Sequence, residues 1–329
     1  MRYVMNNQTD ATHNIAMDTW LLNDLKPDEP IFTLWQNRNA VILGQNQNTF
    51  QEVNQEYVDD HGIQVVRRVT GGGAVYHDLG NLNFTFIVPV EQTAEVNFHK
   101  FVKPMLAALH SLDIPAEITG RNDLVIDGKK ISGNAQRYAN GYLMHHGTLL
   151  FDTNVDTMVH ALNVADEKFM SKAAKSVRSR VGMIKNYAPK ETTMDSFFEA
   201  LQYYLSNQGK DQEIILDSAQ NAQITDLQKR QFSTWDWNYG KSPAFNFHSH
   251  EKFTGGAVDV FAQVEEGIIR DIHFEGDFLG LLDITPLRQK LIGQKFDEAN
   301  IKRVLDEMDA SDNYFGHIPN HDIAKMFAS

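Results

Sequence analysis

Residues 67–81 read RRVTGGGAVYHDLGN, with four glycines and two arginines in fifteen positions. Side chains are missing at Gly71, Gly72 and Gly73 in succession, so something must come close to the backbone there. The run lies between the Val- and Ile-rich IQVVRRV and the apolar NLNFTFIVPV. Two readings compete. Glycines serve strand ends and turns that need positive φ. They also let backbone N–H groups approach an anion, with Arg67, Arg68 and Thr70 as neighbouring donors. The spacing fits neither G-x-x-x-x-G-K-[ST] nor G-x-G-x-x-G, which excludes the ordinary mononucleotide and dinucleotide loops.

The flanking pattern indicates the architecture. NIAMDTWLLNDL, from Asn14 to Leu25, has helical spacing and is followed by Pro27. IFTLWQNRNAVILGQNQN reads as two strands joined by a polar turn from Gln36 to Asn39, and IQVVRRV as a third. NLNFTFIVPV alternates Leu82, Phe84, Phe86 and Val88, which predicts a strand with one face on a core. A helix is expected from Phe98 to Leu112, a strand in YLMHHGTLLFD, and mainly helix from Val155 to Gln220, clearest in TTMDSFFEALQYYLSNQG. Strands mixed with helices, without strict βαβ alternation, give an α+β class: a mixed β-sheet flanked by helices.

At 329 residues the chain exceeds the usual size of one hydrophobic core. Aromatics, Gly240 and Pro243 interrupt the periodicity in FSTWDWNYGKSPAFNFHSHEKF, and a hairpin signal follows in AVDVFAQVEEGIIRDIHFEG. We therefore expect a large unit over residues 1–245 and a small α+β unit over 246–329, with FDEANIKRVLDEM as one of its helices. A formal charge of −13 argues against a general nucleic-acid or membrane binder. The N-terminal residues lack the apolar stretch of a signal peptide, and a cytoplasmic protein is expected. With no Cys in the chain, thiolate metal sites and Cys nucleophiles are excluded.

The sharpest local inference concerns GRNDLVIDGKKISGNAQ. Asp127-Gly128 between LVI and KKI signals a two-residue hairpin turn. Regular pairing then sets Ile126 opposite Lys129, Val125 opposite Lys130, Leu124 opposite Ile131 and Asp123 opposite Ser132. Lys130 shares a face with Asp123, diagonally about 7–8 Å away, while Lys129 points to the other side. The small residues of SGNAQ leave room for a ligand. KFMSKAAKSVRSR gathers Lys168, Lys172, Lys175, Arg178 and Arg180. The three lysines suit a solvated helix face, whereas SVRSR suits a loop that closes on an anion. His145 and His146 face opposite sides of one strand without metal-ligand spacing, so a packed or hydrogen-bonded histidine is the expected case.

Taken in order, RRVTGGGAVYHDLGN, GRNDLVIDGKKISGNAQ, HHGTLL, KSVRSRV and WDWNYGKSPAFN resemble the motifs of lipoate-protein ligases, over nearly the whole chain. The resemblance implies the catalytic fold of the biotin and lipoate ligases with a small C-terminal accessory domain. It also implies an activity: free lipoate is activated with ATP to lipoyl-AMP, and the lipoyl group passes to a lysine of an acceptor. Acceptors would be apo lipoyl domains of 2-oxoacid dehydrogenase E2 subunits, or the glycine cleavage H protein. Magnesium is the implied cation, its protein ligands unknown.

By the same resemblance Lys130 is the catalytic lysine, touching acyl carbonyl and phosphate. Arg68, Gly73, Ala74, Val75, Tyr76, Asp123, Arg178 and Arg180 would line the ATP and lipoyl-AMP site; Thr70, Gly71, Gly72, Gly73 and His77 would hold lipoate. Val69-Thr70 departs from many members, which carry a polar residue and then Ser, yet Thr70 keeps a hydroxyl. One alternative is an octanoyl or lipoyl transferase of the same fold; such relatives commonly use a Cys, absent here. The other is a non-catalytic paralogue that binds lipoate or docks on lipoyl domains.

Overall fold

The computed structural model describes residues 1–90, 98–119, 123–162, 180–240 and 245–327. The first strands are β1 (Arg2–Tyr3), β2 (Ile31–Trp35), β3 (Ala40–Leu43), β4 (Gln64–Arg67), β5 (Val75–His77) and β6 (Asn81–Pro89). After the helix Phe98–Ser111 come β7 (Glu117–Thr119), β8 (Asp123–Ile126), β9 (Lys129–Ser132), β10 (Asn134–Ala139) and β11 (Tyr142–Leu150). The C-terminal part holds β12 (Phe247–Phe253), β13 (Gly256–Glu265) and β14 (Ile268–Gly276). They form a five-stranded sheet in the order β1-β2-β6-β11-β10 and three-stranded sheets β4-β3-β5, β7-β8-β9 and β12-β13-β14. Among the described residues, no helix is long and apolar enough to cross a membrane.

β6 is the spine of the large sheet. Leu82, Phe84, Phe86 and Val88 share one core cluster, as their alternation requires, with the helices Phe98–Ser111 and Met194–Leu205 over them. The other face is also buried: Ile87 packs with Ile15, Trp20 and Leu22 of the helix Ala11–Asn23. That corrects the expectation of a strand with only one covered face. The helix starts earlier than its apolar spacing suggests because the Asp10 side chain caps the backbone of His13. It is buried nearly all round, which carries the polar Asn14 and Asp18 into the interior.

β2 and β3 do not pair with each other, although the sequence suggested two strands across a turn. β2 runs antiparallel to β6, while β3 pairs with β4 in parallel and with β5 antiparallel. Residues 36–39 are thus a bridge between two sheets. The helix Met194–Leu205 begins with a capping box between Thr193 and Ser196. In the C-terminal part, one face of β12-β13-β14 is closed by the helices Thr285–Leu291, Glu298–Glu307 and Asn320–Lys325 around Val260, Phe274, Leu287 and Leu305.

Candidate active site

The Asp127-Gly128 turn has φ of 51° and 72°, the left-handed pair that a two-residue hairpin demands. Ile126 faces Lys129 and Val125 faces Lys130 as expected, but Leu124 then pairs with Ser132. One extra residue, Ile131, is accommodated in β9, so the predicted pairs Leu124–Ile131 and Asp123–Ser132 do not form. Lys130 still reaches across: its Nζ lies 2.8 Å from Asp123 Oδ1, an ion pair. The side chain lies over Gly133, where a Cβ would stand 3.3 Å from both Cε and Nζ. Gly133 thereby makes room for the ammonium group, while Lys129 is exposed on the other side.

Lys130 stands at a cavity of about 190 Å³ whose walls include Ile15, Trp35, Ile42, Val75 and His77. Gly72, Gly73 and Ala74 contribute backbone to it. The three glycines have different reasons to be glycine. A Cβ on Gly71 would lie 2.6 Å from the Phe278 carbonyl oxygen, in the segment that follows β14. Gly72 has φ +92° and donates its N–H to that same carbonyl at 3.1 Å. At Gly73 the nearest atom is 4.0 Å from a Cβ position, so this residue stays open.

Both arginines are buried, and most of their donors are taken up by the protein itself. Arg68 donates from Nε to Thr70 Oγ1 at 2.9 Å, from Nη1 to the Ile42 carbonyl at 3.1 Å and from Nη2 to the Gly71 and Gly73 carbonyls at 2.7 and 2.9 Å. Of its five N–H groups, one on Nη1 has no partner among the described residues. Burial and the neighbouring Arg67 bring its pKa down to about 10, so it stays a cation. Arg67 donates to the carbonyls of Gly44, Gln45, Gln47, Trp237 and Asn238, tying the aromatic WDWN helix to β4.

A buried polar chain supports the loop from behind. Thr70 Oγ1 is 2.7 Å from His146 Nε2, and His146 Nδ1 is 2.7 Å from Asp18 Oδ2. His145 faces the other way, between Gln136 and Asn134, and burial lowers its pKa to about 3. The end of the KSVRSRV stretch runs beside β9: Val181 bridges to Lys130, and Gly182 N–H donates to the Lys130 carbonyl at 2.8 Å.

Residues 10–206 match a family model described as the lipoyl protein ligase A/B catalytic domain, and residues 242–327 one described as the bacterial lipoate protein ligase C-terminus. The chain belongs to the lipoate-protein ligase family. It is 40% identical over 323 residues to lipoate-protein ligase LplJ of Bacillus subtilis, covering 97% of each chain. With lipoate–protein ligase 1 of Staphylococcus aureus the identity is 39% over the full length of both. Among solved structures, P. falciparum LipL1 in complex with lipoate aligns with a TM-score of 0.77 and 27% identity over 93% of this chain and 94% of that one. A lipoate-protein ligase A bound with ATP aligns at 0.62 and 25% identity, covering 73% and 98%.

The fold sorts the ligase motifs. Lys130, Arg68, Gly72, Gly73, Ala74, Val75 and His77 line one cavity. Tyr76 does not: strand alternation turns it into the cluster of Val41, Leu43 and Val53. Thr70 and Gly71 lie behind the wall, covered by His146 and by Phe278 respectively. Arg180 is exposed and does not line the cavity, and Arg178 lies outside the described residues. Sequence reasoning passed over Arg137, Asp18 and Leu279. Arg137 donates to the Val69 carbonyl at 3.1 Å and pairs with Asp283, while Leu279 reaches the cavity from the C-terminal part. Arg137 adjoins a motif, which does not tell a functional residue from a solvated one, and Asp18 and Leu279 lie away from every motif.

Proposed function

We propose that this chain is an ATP-dependent lipoate-protein ligase, with a catalytic unit over residues 1–245 and an accessory unit over 246–329. The observation that carries the reading is the Lys130 ammonium group, aimed by Asp123 at the mouth of a largely apolar-walled cavity. An acyl chain would lie in the cavity with its carboxylate at the cationic end.

A carboxylate oxygen would attack the α-phosphorus of ATP, forming the C–O–P linkage of lipoyl-AMP and releasing pyrophosphate. Negative charge gathers on the oxygens around phosphorus in that step. Lys130 is placed to stabilise it, a contribution commonly worth on the order of 10²–10³ in rate. Arg68 would act through the loop it holds, with its one remaining N–H towards the ligand. In the second step an acceptor lysine attacks the acyl carbon, AMP leaves, and the amine proton passes to phosphate or solvent.

Magnesium would neutralise phosphate charge when bound. Among the described residues no group of three or more His, Asp or Glu side chains is placed to hold a metal ion. Asp123, beside Lys130, is the carboxylate at hand for a cation that keeps mainly phosphate oxygens as ligands.

Acceptors are inferred to be apo lipoyl domains of E2 subunits or the glycine cleavage H protein; one structural neighbour is described as a bi-partite lipoate protein ligase and its E2 lipoyl domain. Use of ATP fits a cytoplasmic setting. A thioester-dependent transferase is disfavoured by the lack of any Cys. The test is incubation with lipoate, ATP and Mg²⁺ and an apo lipoyl domain, followed by intact mass. One lipoyl group should be gained; no gain where a control ligase works rules the reading out.

A further inference from the structure

Three aromatic rings stand in a row on the surface, away from the Lys130 cavity, whose walls include none of them. Phe50 lies on the short helix Thr49–Glu52; Trp235 opens the helix Trp235–Asn238, and Tyr239 follows it. Ring centroids are 5.7 Å apart for Phe50 and Tyr239 and 6.0 Å for Trp235 and Tyr239, the second pair nearly parallel at 9°. Phe50 is 57% exposed and Trp235 51%. Single exposed rings need no explanation, but a contiguous row marks a contact surface.

The row is held rigidly. Arg67 donates from Nη2 to Thr49 Oγ1 at 2.8 Å and to the Asn238 carbonyl at 3.2 Å, so one buried guanidinium grips both helices. Thr49 Oγ1 donates to the same carbonyl at 2.5 Å, and Trp237 Nε1 donates to the Arg67 carbonyl at 2.8 Å. The first arginine of the RRVTGGG run thus serves this surface and is not among the walls of the Lys130 cavity. Rings fixed in advance lose little side-chain entropy when a partner binds.

Charge around the row has one sign. The helices Thr49–Glu52, Gln55–Asp60 and Trp235–Asn238 carry Glu52, Glu56, Asp59, Asp60 and Asp236, and no Lys or Arg. Asp59 is tied to the row itself: Gln55 Nε2 donates to Asp59 Oδ1 at 2.8 Å and to the Tyr239 hydroxyl at 3.3 Å. A partner that fits must combine flat apolar groups with positive charge. A polyproline II segment has the right form, because two of its residues advance about 6 Å, the step between these rings, and its conformation is set before binding. An amphipathic helix needs a continuous apolar groove instead. We propose that Phe50, Tyr239 and Trp235 form a docking surface for an extended, proline-containing segment of a partner protein that carries Lys or Arg. Docking there is independent of the ligase reading.

The probe is a fluorescein-labelled peptide of about twelve residues composed of Pro, Ala and Lys, titrated with the full chain by fluorescence anisotropy. Saturable binding is expected, weakened at least about tenfold by Trp235→Ala and by Phe50→Ala, the scale of an aromatic anchor. Both substitutions are of exposed rings and should keep the wild-type urea midpoint. Asp59→Asn, which leaves the rings in place, should weaken binding by about two- to fivefold, and added salt should do the same. Peptides with Glu in place of Lys, or Gly in place of Pro, should bind at least about tenfold more weakly. The proposal is overturned if the wild type does not bind, if either control peptide binds as tightly, or if the folded ring variants retain the wild-type affinity. Self-association of the wild type in analytical ultracentrifugation, abolished by Trp235→Ala, would overturn it too, since the row would then be covered by a second copy.

Discussion

Arg137 Nη2 lies 3.1 Å from Asp283 Oδ2, and this ion pair joins the strand after the Lys130 hairpin to the C-terminal part of the chain. Gln45 donates to the same carboxylate oxygen at 2.8 Å. Burial alone would raise the Asp283 pKa, but hydrogen bonds from Thr285 and the charge of Arg137 outweigh it and hold the group at about 2. A carboxyl whose folded value lies below its free value of about 3.9 adds stability that is complete above that pH and fades as pH falls towards 2. Asp283→Asn should therefore lower Tm at pH 6, and the gap to the wild type should shrink as pH falls below about 4. Because the carboxylate is 37% exposed, solvent screening limits the effect to about 1 kcal/mol or less. A gap independent of pH would contradict the assignment.

Lys130→Ala should reduce lipoyl-AMP formation by about 10²–10³, measured as pyrophosphate release in a single turnover. Lys129→Ala, on the exposed side of the same hairpin, should change it by less than about threefold, since an exposed side chain away from the reacting atoms contributes little beyond ±0.5 kcal/mol. Equal losses would show that the two faces of β9 are not distinguished by the reaction.

The three glycines should separate in stability. Gly71→Ala forces a methyl within 2.6 Å of the Phe278 carbonyl, which should cost about 1–3 kcal/mol in urea unfolding or detach the C-terminal part from the loop. Gly72→Ala carries the strain of φ +92°, about 1–3 kcal/mol. Gly73→Ala, with its nearest neighbour at 4.0 Å, should be close to neutral in unfolding and show its effect in lipoate binding instead. A Gly73→Ala variant as unstable as Gly71→Ala would refute this ordering.

Asp18→Ala leaves His146 Nδ1 unpaired in a buried site, and a loss of about 1–3 kcal/mol is expected from chemical denaturation. In a double-mutant cycle with Thr70→Val the two changes should be non-additive, because both act on one hydrogen-bonded chain. Strict additivity would mean that His146 does not transmit between them.

Much of the site was legible in order along the chain. Asp127-Gly128 announced the hairpin, and strand periodicity assigned Lys130 rather than Lys129 to the face of Asp123. The extra residue in β9 was not legible, since Ile131 gives no local sign that it will be accommodated without a partner. The glycine loop was legible as a close approach, but not as an approach by the Phe278 segment more than 200 positions away.

By itself the sequence determined the elements with strong periods, the α+β class, the absence of thiol chemistry and the order of the ligase motifs. Tertiary structure alone decided that β2 and β3 belong to different sheets and that Arg68 grips its own loop. It also decided that Asn14 and Asp18 of one buried helix are each linked to a histidine, Asn14 to His77 through Asn37 and Asp18 to His146 directly. The reason is physical. Periodicity and turn chemistry act over a few residues, whereas the partner of a buried donor is whichever acceptor the folded chain brings within about 3 Å, and separation along the chain does not constrain that.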